Sequence, residues 1–233
     1  MSKPPLAILA ALIVVGCSGG GSSAYVPSPP PKIEPATVKP GQEQELFPFK
    51  VGNSWTFAAQ TAQRVGGQTR QQSSDATFKV VKVETINGNK QATIDLVVSD
   101  KVVDRQVWYS NSKGIYQVNL GMKGERKFTT PIPAILFPVE PNKKFSWEGG
   151  DGKAKMAYNS MIIGAQEVDT DEKRMSAIAI ESKGTSVVGK ETEKTDRTIW
   201  FAPGIGIVRI SEATTSTKGS SALQLSLKSH TVK

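Results

Sequence analysis

The chain has 233 residues, a formal net charge of +8, one Cys and one His, with 38% hydrophobic and 7% aromatic residues. A lone Cys forbids an internal disulfide, and one Cys with one His excludes the common zinc sites, which gather three or four His, Cys or carboxylate ligands on one metal. A domain of about 190 residues buries roughly 70% of the surface its unfolded chain would expose, so it holds a core with neither.

Residues 1–16 open on Lys3 and two prolines, run apolar from Leu6 to Val15 and close on Gly16, the layout of a secretory signal peptide. As a helix that apolar run covers roughly 15 Å, half of a hydrocarbon core of roughly 30 Å, and cannot span a membrane. The residues Val14-Val15-Gly16-Cys17 resemble a bacterial lipobox. That resemblance implies acylation of Cys17 with fatty acyl chains such as palmitate, and a membrane as partner; the alternative is an ordinary secretory signal with an incidental Cys. Each buried acyl methylene contributes about 0.8 kcal/mol, and more than one chain separates stable anchoring from reversible contact. By resemblance to enterobacterial lipoproteins, Ser18 rather than Asp after the Cys implies sorting to the outer membrane, facing the periplasm.

From Cys17 to Glu45 the chain is Gly/Ser-rich and then Pro-rich, with six prolines between Pro27 and Pro40. Such a segment cannot bury enough surface to offset its ordering entropy and reads as a tether. Residues 46–233 read as a single β-rich domain. Ala92, Ile94, Leu96 and Val98 form one face of a strand while Thr93 and Asp95 face away, and Leu223, Leu225 and Leu227 alternate with Gln224, Ser226 and Lys228. Asn87-Gly88 signals a type I′ hairpin, because both central residues need positive φ. Further turns are expected at Asn111–Gly114, Gly149–Gly152 and Asp169–Lys173. The alternation slips phase at Val80-Val81 and Ile207-Val208, and each slip predicts a bulge that bends a strand. The expected fold is all-β, a strongly curved antiparallel sheet or open β-barrel of about eleven strands. Thr130–Pro141, with four prolines, is expected to be a loop across the sheet or over a barrel mouth, because proline lacks the amide donor.

Two segments carry a family resemblance: Leu46-Phe47-Pro48-Phe49-Lys50-Val51-Gly52-Asn53-Ser54-Trp55-Thr56-Phe57, and Trp200-Phe201-Ala202-Pro203-Gly204-Ile205-Gly206-Ile207-Val208. The pair is similar to uncharacterised bacterial envelope lipoproteins with a FPLKVGNxWTY box and a WYAPGVGxV box, which resemble the LolA/LolB-like open β-barrels. Gly114-Ile115-Tyr116 and the Pro-rich stretch before Trp147 match more loosely, and Asp169–Lys173 departs from the VPAGTF turn of many relatives. The resemblance implies an envelope lipoprotein that binds a lipid or acyl chain, and it brings no catalytic residue. In the residues' own terms, Gly204 and Gly206 serve a turn, and Trp55 and Phe57 anchor a core.

Other motifs lack the context their chemistry needs. Gly184–Lys190 fits a phosphate-binding loop, but Glu191 stands where Ser or Thr would bind magnesium, and residues 191–200 read as turn and strand. Ser110-Asn-Ser-Lys113 has the S-x-x-K spacing but sits in a predicted hairpin turn. A triad could only use His230, and no G-x-S-x-G elbow accompanies it. Asp169, Asp171 and Glu172 lack the order of a calcium loop. From residue 46 onward, 26 Lys or Arg face 18 Asp or Glu, spread without the interleaved aromatics that grip nucleic acid.

The expectation is therefore a non-enzymatic, acyl-anchored lipoprotein of the bacterial envelope, with no cofactor, no metal and no nucleic-acid partner. It holds a lipid or other hydrophobic ligand against Trp55, Phe57, Ile132, Ile135, Leu136, Phe137 and Trp147, which serve equally well as ordinary core. The alternative is an interaction lipoprotein with a filled interior that docks an envelope protein.

Overall fold

Period-two alternation places one face of each strand inside, and the strands close on one another in a ring. The computed structural model describes residues 33–122 and 126–233. Cys17, the signal peptide and the tether up to residue 32 lie outside the described residues. In chain order the first half comprises β1 (Ser54–Val65), β2 (Gln68–Ile86), β3 (Asn89–Val98), β4 (Lys101–Asn111), β5 (Gly114–Leu120) and β6 (Arg126–Leu136). The second half comprises β7 (Lys144–Gly150), β8 (Lys155–Asp169), β9 (Arg174–Val188), β10 (Glu191–Ala202), β11 (Gly206–Ser216) and β12 (Gly219–Thr231).

Every strand pairs antiparallel with its sequence neighbour except β6 and β7, and β1 pairs with β12 from Ser54↔Thr231 to Val65↔Gly219. The result is a nearly closed barrel of twelve strands with one seam, between β6 and β7, that no backbone ladder seals. The twelfth strand is β6. The Pro-rich stretch expected to be a loop is extended through Leu136, and it forms the ladder-free side of the seam, where a strand tolerates proline. Tyr116 pairs with Pro133 on its other side.

The local signals hold in detail. Asn87 and Gly88 turn at φ 50 and 78. Register shifts fall between Val80 and Lys82 and opposite Ile207–Arg209, where the alternation slips. β9 takes in Met175–Ile180, a run too continuous in its burial for an amphipathic helix.

One end of the barrel is filled. Phe47, 1% exposed, packs its ring 5.1 Å from Trp55 of β1, 5.4 Å from Trp108 of β4 and 6.3 Å from Phe201 of β10, so one side chain joins three strands far apart in the sheet. A short 3-10 turn, Glu43–Leu46, delivers it, and Gly204 N–H donates to the Glu45 carbonyl at 3.1 Å. Upstream, Ala36 N–H donates to Ser176 Oγ at 2.7 Å, and Ala36 and Val38 pack on the core. The described compact unit, Ile33–Lys233, thus includes residues upstream of Leu46. Residues 33–45, assigned to the tether by composition, belong to it because their few apolar side chains have a core to cover.

Towards the opposite end, where the β1–β2, β7–β8, β9–β10 and β11–β12 turns lie, exposure rises. Along β1 the inward positions run from buried Trp55, Phe57 and Ala59 to half-buried Thr61 and exposed Gln63. The barrel is therefore a cup, with an apolar floor at the Phe47 end and a more polar wall towards the mouth.

Candidate functional site

The seam is closed by side chains. Gly150 N–H donates to Thr129 Oγ1 at 3.1 Å, and Thr130 Oγ1 donates to the Glu148 carbonyl at 3.3 Å. Arg126 Nε meets Asp151 Oδ2 at 2.7 Å, where the Asp151 side chain is only 4% exposed. Burial alone would raise the Asp151 carboxyl, but the Arg126 hydrogen bond, the Ala154 and Lys153 amides and the Arg126 charge outweigh it and hold it down at about 2.

Inside this latch lies an apolar cluster separate from the main core: Phe128 and Ile132 of β6, Trp147 of β7, Met156 of β8, and Ala154, with Leu120 and Tyr158 against it. The Phe128 and Trp147 rings meet edge to face at 6.3 Å, and Trp147 lies 5.7 Å from Tyr158. Tyr158 leans across β9 because its register partner is Gly184; a Cβ there would come within 2.3 Å of the ring. On the far side the Arg197 guanidinium of β10 stands 5.5 Å from the Tyr158 ring centroid. Such a cation over an aromatic face is attracted by the ring quadrupole.

Both flanking residues carry a donor without a partner. The Trp147 indole nitrogen and Arg197 Nε are enclosed and make no hydrogen bond among the described residues. Arg197 stands opposite Glu212 across the β10–β11 ladder but makes no ion pair with it. A buried donor left unpaired costs about 1–3 kcal/mol, so two on one wall call for an acceptor.

On β4 and β5, beyond β6, Gln106 and Asp104 gather a chain of hydrogen bonds, while Asn119 Oδ1 is enclosed without a partner among the described residues. Trp108 Nε1 and Gln117 Nε2 both donate to Gln106 Oε1, at 3.0 and 3.2 Å. Gln106 Nε2 donates to Asp104 Oδ2 at 3.3 Å, and Gly121 N–H donates to Asp104 Oδ1 at 2.7 Å.

The residues proposed from sequence to line a ligand divide among three places. Trp55, Phe57 and Ile135 are 0% exposed within the main core. Ile132 and Trp147 belong to the seam cluster. Phe137 packs partly buried against the main core, and Leu136 is half-buried at the end of β6. The structure adds Phe128, Met156, Tyr158 and Arg197 to the seam wall. Alternation through Met156, Tyr158, Ser160 and Ile162 puts the β8 residues on the inner face, whereas Arg197 is an isolated cation in a polar stretch and gives no such signal.

On the outer face, grooves of about 940 and 480 Å³ run along β7, β8 and β9, lined by Glu148, Lys155 and Thr185 and by Lys144, Asn159 and Lys183. The remaining motif residues have structural partners. His230 Nδ1 lies 2.8 Å from Glu172 Oε2, Asp171 Oδ1 accepts from Ser226 Oγ at 2.6 Å, and Glu172 N–H donates to the Leu227 carbonyl at 2.8 Å. Through these bonds the Asp169–Lys173 turn binds β12 at the filled end. Gly184–Lys190 forms strand and hairpin turn, without the helix N-terminus a phosphate site requires.

No protein-family model and no curated protein matches the chain. Among solved structures, it is similar to a "putative lipoprotein" from Parabacteroides distasonis ATCC 8503, with 14% identity over 80% of this chain and 98% of that one, and a TM-score of 0.51. A "putative exported protein with YmcC-like fold" from Bacteroides fragilis NCTC 9343 aligns with 15% identity over 79% of this chain and 98% of that one, with a TM-score of 0.46. At these identities the first likeness bears on the fold alone.

Proposed function

We propose that this chain is an acyl-anchored bacterial cell-envelope lipoprotein, without enzymatic activity, that holds the apolar part of a lipid or other hydrophobic ligand against the inner wall of its cup. The seam cluster supports the reading: Phe128, Ile132, Trp147 and Met156 form an apolar wall apart from the main core, beside a join that has no backbone ladder. A join without a ladder parts by breaking three side-chain bonds and the Phe128–Trp147 packing, whereas any other strand pair would also lose a row of backbone hydrogen bonds.

The lipobox at Cys17 supports the anchor, Ser18 the outer membrane with the domain in the periplasm, and the lipoprotein name of the P. distasonis structure the envelope address. Native mass spectrometry with lipid extraction, on the full chain carrying Cys17→Ser to remove covalent acylation, tests the ligand. One non-covalent lipid per chain that survives gel filtration is the expected outcome. A clean apo mass with no uptake of added lipid overturns it.

A second reading is favoured by the packing of the filled end. Trp55, Phe57, Leu227 and Ile135 are all 0% exposed, which fits an interaction lipoprotein that docks an envelope protein and uses its interior only as core. A specific protein crosslinked to the domain in cells, together with the clean apo mass, would establish that alternative.

A further inference from the structure

The filled end gathers lysines without carboxylate partners. Lys50, Lys90 and Lys233 line a groove of about 370 Å³ beside the Glu43–Leu46 turn, and Lys90 and Lys113 line an adjoining one of about 450 Å³ that shares Gln44 and Ser110 with the first. Asn111 Nδ2 donates to Asn89 Oδ1 at 3.1 Å, so the turns beside Lys90 and Lys113 are held next to each other. Lys233 N–H donates to Asn53 Oδ1 at 3.1 Å, and a Cβ on Gly52 would stand 3.1 Å from Lys233 Nζ, which places that ammonium group over the turn from Lys50 to Asn53. Among the described residues none of these four lysines makes an ion pair, whereas Lys82, Lys183, Lys218 and Lys228 each meet a carboxylate. Glu45 is the one carboxylate side chain that lines either groove.

Beside the lysines, two apolar side chains face solvent. Val51, next to Lys50, is 53% exposed, and Ile86, which precedes the Asn87-Gly88 turn, is 41% exposed. Lysines around isolated apolar groups suit a bilayer surface, where ammonium groups meet phosphates and the apolar groups enter the headgroup layer. The course of the chain selects this occupant. Ala36 bonds to Ser176, close to the Asp169–Lys173 turn, and residues 36–45 run from there across the filled end to the first groove. The sequence that leads back to the lipobox Cys17 therefore leaves the barrel from the end that carries the lysines. Even fully extended, the chain from Cys17 to Ile33 covers only roughly 55 Å, so an acylated protein keeps this end near the bilayer, at an effective concentration that lets a weak contact persist.

We propose that the filled end of the barrel docks on an anionic phospholipid surface, with Lys50, Lys90, Lys113 and Lys233 meeting the phosphates and Val51 and Ile86 entering the headgroup layer. This goes beyond the anchored reading, which it uses only to bring the end close to the membrane. Docking sets the direction of the barrel: its mouth points away from the anchoring bilayer.

The test is amide hydrogen exchange of the full acylated chain, reconstituted in phosphatidylcholine vesicles with and without phosphatidylglycerol. It is repeated on a variant carrying Lys50→Gln, Lys90→Gln and Lys113→Gln, and on a control carrying Lys127→Gln, Lys153→Gln and Lys190→Gln, towards the mouth. Circular dichroism confirms that both fold. The expected result is exchange slowed severalfold by phosphatidylglycerol at residues 41–44, 87–90 and 111–114 in the parent and the control. The first variant should lose that slowing, since each lysine at an anionic surface strengthens the contact about fivefold. Added salt should weaken it in the parent.

Equal exchange on the two vesicle compositions overturns the docking and leaves the anchored reading standing. Slowing that is lost with the control lysines instead also overturns it. The same slowing produced by inorganic phosphate on phosphatidylcholine vesicles makes the groove a free-anion site and overturns it as well. A chain whose mass shows no acyl groups removes the anchored reading alone, because the same comparison with vesicles added from solution still decides the docking.

Discussion

The indole nitrogen of Trp55 donates a 2.6 Å hydrogen bond to the carbonyl of Ile205, across 150 residues of sequence. It joins the two boxes that carry the resemblance, one launching β1 and the other turning β10 into β11. Gly206, at φ +118, lies against the same indole, and a Cβ there would stand 3.0 Å from the Trp55 nitrogen. The tryptophan, the carbonyl and the glycine form one structural unit.

Trp55→Phe keeps most of the buried volume but leaves the Ile205 carbonyl without its donor, and it should cost about 1–3 kcal/mol. Gly206→Ala should cost at least about 1 kcal/mol through its backbone conformation and the contact with the indole. Because both act on one contact, the double variant should lose less than the sum, and urea denaturation of the three variants measures this coupling.

Phe47 reaches β1, β4 and β10 from outside the sheet. Phe47→Ala should destabilise by about 3–5 kcal/mol, and because the lost contacts join distant strands, the cooperativity of unfolding should fall as well. A midpoint shift with a changed denaturant slope would record both effects; a surface-like change within about 0.5 kcal/mol would contradict the plug.

Asp151 ties the seam to Arg126, and its carboxyl is held at about 2, below the ordinary value of 3.8. A folded-state value below the unfolded one gives stability that is complete above about pH 4 and lost as pH falls towards 2. With Arg126 49% exposed, the contribution is discounted to about 1 kcal/mol. Asp151→Asn should therefore destabilise the protein at pH 7 and differ little from the parent at pH 2, which denaturation across that range would reveal.

Gly184→Ala sets a methyl against the Tyr158 ring, 2.3 Å from Cε1. The ring must swing away from Arg197, at a cost of about 1–3 kcal/mol. Combining it with Tyr158→Leu should recover much of that loss, and thermal melts of the pair measure the rescue.

Cys17→Ser should move the chain from the membrane fraction to the soluble fraction of cells, since each buried methylene of the lost acyl chains counts about 0.8 kcal/mol. Fractionation and immunoblotting check it.

Most of the barrel can be read from local pattern. Asn87-Gly88 fixes a hairpin whose φ values the structure reproduces, and the slips at Val80-Val81 and Ile207-Val208 become register shifts. What misleads is Pro131 and Pro133. Proline argues against a strand only where both edges pair, and the position of β6 beside an open seam depends on all twelve strands. The same holds for residues 33–45, whose polar composition hides that Ala36 and Val38 cover core. At the candidate site, Trp147 and Ile132 stand out by apolar character, but the Trp147, Tyr158 and Arg197 alignment depends on a side chain crossing the vacant position at Gly184. Nothing in the spacing of residues 147, 158, 184 and 197 records that crossing.

The β1–β12 pairing has a consequence for biogenesis. Hairpins from β1 to β6 and from β7 to β12 are local and can zip as soon as their strands are available. The partner of β1, however, is β12, made after the eleven strands before it. Until then, the first half carries an unpaired edge, and the long edge of β1 presents an open template to other chains. The barrel therefore rounds up only once β12 is available, and in the interval before it the edge of β1 is open to pairing with the wrong strand.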